Sequence, residues 1–243
     1  MHSRYVNACT LYLKLVSFKK FQSNSDKRAA VVVRLQGGLF RVIEILAEPQ
    51  FDGNVKVVQV VFDLLALLAK RSTANTAIVA KMCGVPLVMD AAQRHLSHPK
   101  IFSSVLILLE RMSQNSRVLP RLLEHRLVQW LFDSLVQYQS AQPTVQAVLR
   151  VLRLVVKTPT GATAFTERGG LEAMLPLVLP HLTKPLTMRA ACSVLWSVQL
   201  HCLHDLADHE RLYRLKHNYC PLVFDAGTCR VGGVRRYTSM LNA

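Results

Sequence analysis

A short tripeptide returns along this chain at a nearly constant interval, and this periodicity limits the fold more than any other feature. The four copies, here called the turn tripeptides, are Gly37-Gly38-Leu39, Cys83-Gly84-Val85, His125-Arg126-Leu127 and Gly169-Gly170-Leu171. Between their middle residues the steps are 46, 42 and 44 residues. Such a period, with leucine-rich segments between the copies, is typical of stacked helical repeats. Because these repeats bury apolar residues only against their neighbours, they leave a long exposed surface suited to binding.

The same order of segments recurs around each turn tripeptide. A short helical segment precedes it, a second helix follows it, and a polar connector then leads to a long apolar helix. Apolar residues in the long helices recur every three or four positions, as in residues 58–68. Prolines suited to a first helical turn lie in or just beyond the connectors; these are Pro49, Pro99, Pro143 and Pro185. No alternation indicates strands, so the sequence predicts an all-α fold.

The periodicity also predicts how the chain is divided. We expect four full repeats, at residues 28–75, 76–116, 117–160 and 161–204. Residues 1–27 are expected to form a partial first repeat or N-terminal cap. Residues 205–243 are expected to form a degenerate cap followed by an irregular basic tail.

In this order of helices and turns the chain resembles the armadillo-repeat family. The resemblance covers roughly residues 5–204 and is clearest at residues 34–46 and 168–200. It implies a right-handed α-solenoid of about four armadillo-like repeats. HEAT-type helix pairs are the alternative within the same architecture. The third turn tripeptide departs from the family's glycine pair, so that turn must form without glycine.

The resemblance further implies that the last helix of each repeat lines a concave groove. In the family's nuclear-import adaptors, an asparagine in this groove binds the peptide backbone, and a tryptophan lies four residues earlier. Here the asparagine position holds Leu67, Arg111, Leu154 and Ser197, and the tryptophan position holds Asp63, Ile107, Arg150 and Ser193. Trp196 lies one residue before Ser197 instead of four. A cargo-adaptor function is therefore not supported, and we interpret Leu67, Ile107 and Leu154 as core rather than as partner pockets.

What remains is a groove of mixed, mildly basic character. Its candidate partner-binding residues are Lys70, Arg111, Gln114, Arg150, Arg153, Lys157, Ser193 and Ser197. Arg150, Arg153 and Lys157 are spaced by three and four residues, which places them on one helical face. They are suited to holding an acidic segment through charge-assisted hydrogen bonds. The alternative is that these cations only solvate an exposed surface.

The charge of the chain is compatible with three kinds of function. There are 30 Lys and Arg residues against 15 Asp and Glu residues, a formal net charge of +15, which attracts anionic partners. Because the basic residues are scattered and form no long runs, we favour a protein-interaction scaffold that binds an acidic protein segment. The alternatives are a basic solenoid that binds RNA or another polyanion, and a structural segment of a larger complex.

Sequence patterns of catalysis are missing. We find no phosphate-binding glycine loop, no recurring pair of carboxylates and no serine in a nucleophile elbow, and therefore expect no enzyme activity and no cofactor. Four residues near the C-terminus are candidate zinc ligands: His201, His204, Cys220 and Cys229. They include no CxxC or HxxxH pair, so we interpret this segment as the degenerate cap and expect no metal site.

The expected location of the protein is inside the cell. No stretch approaches the roughly 18 uninterrupted apolar residues of a membrane-spanning helix. Three of the six cysteines, Cys9, Cys83 and Cys192, fall in apolar helical patterns, where a free thiol acts as a small hydrophobe, and this is compatible with a reducing compartment. We expect the cytoplasm first, with the nucleus and the mitochondrion as open alternatives.

Overall fold

A computed structural model describes residues 38–48, 51, 53–81, 84–181 and 183–202 of the chain. All regular structure in these residues is helical, which confirms the all-α prediction for this part of the chain. The helices are α1 (Gly38–Ala47), α2 (Val55–Arg71), α3 (Thr73–Lys81), α4 (Gly84–Arg94), α5 (Pro99–Ser113), α6 (Leu119–Glu124), α7 (Leu127–Gln137), α8 (Gln142–Val156), α9 (Pro159–Thr166), α10 (Gly170–Val178) and α11 (Pro185–Cys202). A turn of 3-10 helix, Leu179–His181, follows α10.

The predicted order of a short, a middle and a long helix occurs in three complete sets. These are α3–α4–α5, α6–α7–α8 and α9–α10–α11, and α1 and α2 precede them. The long helices α5, α8 and α11 have 15, 15 and 18 residues, whereas the short helix α6 has six. The total number of repeats, their boundaries and the right-handed coiling stay predictions. The predicted partial repeat at 1–27 and the predicted cap and tail at 205–243 lie outside the described residues.

Capping groups and prolines set where several helices begin. The side chains of Asn54 and Thr158 accept backbone N–H bonds of 3.3 and 3.2 Å at the starts of α2 and α9. Pro99 and Pro185 are the first residues of α5 and α11, and Pro143 is the second residue of α8. A proline costs no hydrogen bond there, since the first backbone N–H groups of a helix have no partner within it. Pro49 lies outside the described residues.

The turn between the short and middle helices needs a positive φ at one residue and a close backbone approach at the next. Gly169 has φ 64°, the left-handed conformation that glycine adopts without strain. The next residue, Gly170, lies so close to the preceding helix that an added Cβ would sit 2.5 Å from the carbonyl oxygen of Phe165. Gly84 has the same role, since its Cβ would be 2.6 Å from the carbonyl oxygen of Val79.

The third turn forms without glycine, as expected, but its alignment with the others is one residue off. Arg126 has φ 61°, so it is the counterpart of Gly169, the first glycine of its pair. Leu127 begins α7 as Gly84 begins α4 and Gly170 begins α10, and these three starts are 43 residues apart. Matching Arg126 to the second glycine was therefore wrong. Residue type could not reveal the shift, because the backbone conformation that defines the turn is here adopted by arginine.

The long helices form the central layer of the described structure. α2 packs along α5, α5 along α8, and α8 along α11. Aliphatic residues along these helices are almost fully buried, as Leu65, Leu109, Leu152 and Val194 illustrate. The helices α5 and α8 consequently have buried sides and one exposed stripe each.

Side chains also join each set to the preceding one through hydrogen bonds that span about one period. Tyr138, which follows α7, donates its hydroxyl to the carbonyl oxygen of Leu96 at 2.8 Å. His181 donates Nε2 to the carbonyl oxygen of Gln139, which is the same connection 43 residues later. Burial raises the pKa of the Tyr138 phenol above its ordinary value of 10.0. These bonds fix the register of neighbouring sets and hence of their exposed stripes.

Candidate partner-binding face

The exposed stripes of α2, α5, α8 and α11 lie side by side because these helices pack in that order. We call the surface that they form the long-helix face. Equivalent positions on it are 43 or 44 residues apart, as in Ile107, Arg150 and Ser193. A hydrogen bond of 3.1 Å from His201 Nε2 to the carbonyl oxygen of Lys157 keeps α11 in register with α8. The candidate binding residues predicted from the sequence all belong to this face or to its end.

On α2 and α5 the candidates differ in how available they are. Lys70 is exposed near the end of α2, and Gln114 is exposed where α5 ends. Arg111 is half-buried, and its Nη1 donates to Gln114 Oε1 at 3.3 Å. Its Nε is buried and has no hydrogen-bond partner among the described residues. Arg111 is thus partly engaged within α5, whereas Lys70 projects into solvent.

The strongest concentration of available charge lies on α8 and at its end. Arg150, Arg153 and Lys157 are all exposed, and their spacing places them on the same side of the helix. Within the described part of the chain, none of the three side chains forms an ion pair or a hydrogen bond. Because no protein carboxylate compensates these charges there, they attract an anionic group from outside.

The two serine candidates on α11 are less available than the sequence indicated. Ser193 and Ser197 are both half-buried. The Ser197 hydroxyl donates to the carbonyl oxygen of Ser193 at 2.9 Å, within the helix. Its donor is therefore used internally, and the Ser197 oxygen retains only acceptor capacity for a partner.

This face is not uniformly basic, because it also carries an acidic and an apolar side chain. Asp63 on α2 accepts a hydrogen bond from the buried Ser104 hydroxyl of α5, so this carboxylate joins two long helices. Ile107 on α5 is 44% exposed, and interpreting it as core was wrong. Leu67 and Leu154 are half-buried. An apolar side chain thus adjoins the cations of α8.

An exposed tryptophan on α11 is the residue that sequence reasoning missed. Trp196 is 47% exposed and stands 43 residues after Arg153, at the equivalent position of the face. Leu200, one helical turn later, is 57% exposed. Comparison with the family's tryptophan position, four residues before Ser197, does not place Trp196 on this face. Its spacing from Arg153 was a signal that could have placed it on this face.

The metal candidates are not brought together in the part of the chain that the structure describes. His201 lies at the end of α11 and donates Nε2 to a backbone carbonyl. His204, Cys220 and Cys229 lie outside the described residues. Over the described ranges, no group of three or more His, Cys, Asp or Glu side chains is placed to hold a metal ion. A search of the same ranges finds no helix with the length and apolarity needed to cross a membrane.

The helices, their one-period hydrogen bonds and the exposed long-helix face define an α-helical repeat protein. The family model of the GAC ARM domain matches residues 24–202, which is most of the chain. The chain therefore belongs to this armadillo-repeat-type family, as its resemblance to armadillo repeats implied. A comparison with curated proteins finds no match to the chain.

Proposed function

We propose that this protein is a non-catalytic interaction scaffold that binds an acidic protein segment on the long-helix face. The observation that supports it is the set of three exposed cations Arg150, Arg153 and Lys157, whose side chains form no ion pair within the described residues. Charged hydrogen bonds from arginine to carboxylates are stronger than neutral ones and have defined geometry. Ile107 and Trp196 flank these cations and provide apolar contact area for the same segment.

We also propose the architecture that this function requires. Four repeats, at 28–75, 76–116, 117–160 and 161–204, would stack as a right-handed solenoid whose concave groove is the long-helix face. The proposed location is the cytoplasm, with the nucleus and the mitochondrion as alternatives. Membership of an armadillo-type family supports this arrangement, since such repeats commonly present extended surfaces to protein partners.

The test compares two anionic ligands on the full chain. We would measure binding of fluorescein-labelled poly-glutamate and of a single-stranded RNA of equal charge by fluorescence anisotropy at several salt concentrations. The R150E/R153E variant should weaken poly-glutamate binding by about tenfold or more, since two attractive contacts become repulsive. The K81E/R168E variant is the control, because it changes the net charge equally at two exposed cations outside the long helices.

The outcomes separate the candidate functions. Loss of poly-glutamate binding in R150E/R153E but not in K81E/R168E supports the acidic-segment scaffold. Equal loss in both variants shows that only net charge matters, which contradicts a specific face. Tight RNA binding with a steep salt dependence, lost in R150E/R153E, would replace the proposal with the polyanion alternative.

A further inference from the structure

A second surface of α11 is less buried than the equivalent surfaces of α5 and α8. It lies on a different side of the helix from the long-helix face. The long helices α5 and α8 each carry, at equivalent positions, a stripe of four residues that is almost fully buried. On α8 this stripe is Val145, Leu149, Leu152 and Val156, all 0% exposed. On α5 the equivalent stripe is Phe102, Leu106, Leu109 and Ser113, all at most 5% exposed.

On α11 the equivalent stripe is less buried. Its members, 43 residues after those of α8, are Met188, Cys192, Leu195 and Gln199. The first three are half-buried and Gln199 is exposed. The neighbouring residues Val194 and Val198 are buried as their equivalents on the other helices are, since both are 0% exposed. We call Met188, Cys192, Leu195 and Gln199 the end stripe.

The composition of the end stripe fits a surface that is covered. Met188 and Leu195 are apolar and stand where α8 has Val145 and Leu152. In repeat proteins the apolar side of one repeat is covered by the next repeat or by a cap. Only Gln199 is polar here. The end stripe therefore needs an occupant to remove its apolar area from water.

The sequence that follows α11 has the length and composition for this role. The chain continues for 41 residues past Cys202, about one period of the repeat. Residues 203–216 contain leucines three apart at Leu203 and Leu206 and again at Leu212 and Leu215, a spacing that favours short amphipathic helices. The GAC ARM match stops at residue 202, so this segment is a feature of this chain outside the matched domain.

We propose that residues 203–243 cover the end stripe in the place that a further repeat would take, and so cap the stack. Because the segment is tethered directly to α11, its effective concentration at the end stripe exceeds that of any separate chain at ordinary protein concentrations. Covering the stripe also prevents end-to-end association of two copies. The inference does not depend on what binds the long-helix face.

The first experiment is native-state hydrogen exchange on the full chain, read by mass spectrometry at two protein concentrations. Amides in residues 203–216 should exchange at least about tenfold more slowly than expected for an unstructured peptide, equally at both concentrations. The M188E/L195E variant should abolish this protection and leave that of α5 and α8 unchanged. The control L186E/W196E places the same charges on exposed positions of α11 and should preserve it.

A second measurement avoids substitutions that could unfold α11. A photo-crosslinking amino acid replaces the exposed Gln199 of the end stripe, and the crosslinked peptide is identified after digestion. Crosslinks to residues 203–243 of the same chain support the proposal. Crosslinks to another chain, protection that rises with concentration, or unprotected amides in wild-type residues 203–216 would each overturn it.

Discussion

Replacing Gly170 with alanine should destabilise the protein much more than adding a methyl group at its neighbour Gly169. The new Cβ would lie 2.5 Å from the carbonyl oxygen of Phe165 and 2.8 Å from two carbons of its ring. Phe165 is completely buried, so neither its ring nor its backbone can move without disturbing the core. Overpacking of this kind typically costs 1–3 kcal/mol, and we expect about 3 kcal/mol because the closest atom belongs to the backbone.

Three further variants separate the clash from the backbone conformation. Gly169→Ala has open space around its Cβ but keeps φ 64°, so it should cost only about 1 kcal/mol. Arg126→Gly relieves the same conformation at φ 61° and should stabilise by about 1 kcal/mol. Gly53→Ala, with nothing within 4 Å and no positive φ, should be neutral or slightly stabilising.

The assay is urea unfolding of the full chain, followed by circular dichroism at 222 nm. The expected order of stability is Arg126→Gly above wild type, then Gly169→Ala, then Gly170→Ala. An unchanged stability of Gly170→Ala would contradict the close approach of α10 to the preceding short helix. An equal loss at Gly169 and Gly170 would contradict the division of the turn between conformation and contact.

Tyr138→Phe should lose about 1 kcal/mol through its hydrogen bond to the preceding set. Burial raises the pKa of this phenol above 10.0, so its contribution to the free energy of unfolding is present below pH 10 and is lost above it. Above pH 10 the free energy of unfolding should therefore fall less with rising pH in Tyr138→Phe than in wild type. Leu109→Ala should cost about 2–5 kcal/mol and Ile107→Ala under about 0.5, because only the first is buried; comparable losses would refute this packing. Iodide should quench the fluorescence of the exposed Trp196 and spare that of the buried Trp130. Bound poly-glutamate should reduce this quenching, and the reduction should be absent in Trp196→Phe.

The repeat architecture could be predicted because it follows from local sequence patterns. Leucines and valines at three- and four-residue spacing predict helices, and the regular return of the turn tripeptides predicts stacking. Prolines at the starts of α5 and α11 predicted helix boundaries in the same way. The third turn shows the limit of this reasoning. Its defining property is the positive φ of Arg126, and the residue type does not predict that conformation.

The candidate site was predicted less completely, since availability depends on neighbours that are distant in sequence. Arg150 and Arg153 were correctly placed on one exposed face by their spacing. Spacing could not show that the Ser197 hydroxyl donates its hydrogen bond within α11, or that Asp63 accepts a hydrogen bond from Ser104 of the neighbouring long helix. It also could not show that Ile107 and Trp196 are exposed, because apolar residues are expected inside.

The sequence alone determined that this protein is a stack of helices with a period in the low forties and an excess of positive charge. Both properties are local or additive along the chain. Only the tertiary structure decided which side chains face solvent, which carbonyls are bonded one period away, and which stripe of α11 is less buried than its equivalents on α5 and α8. These depend on the packing of α8 against α5 and α11, and that packing brings together residues 43 positions apart.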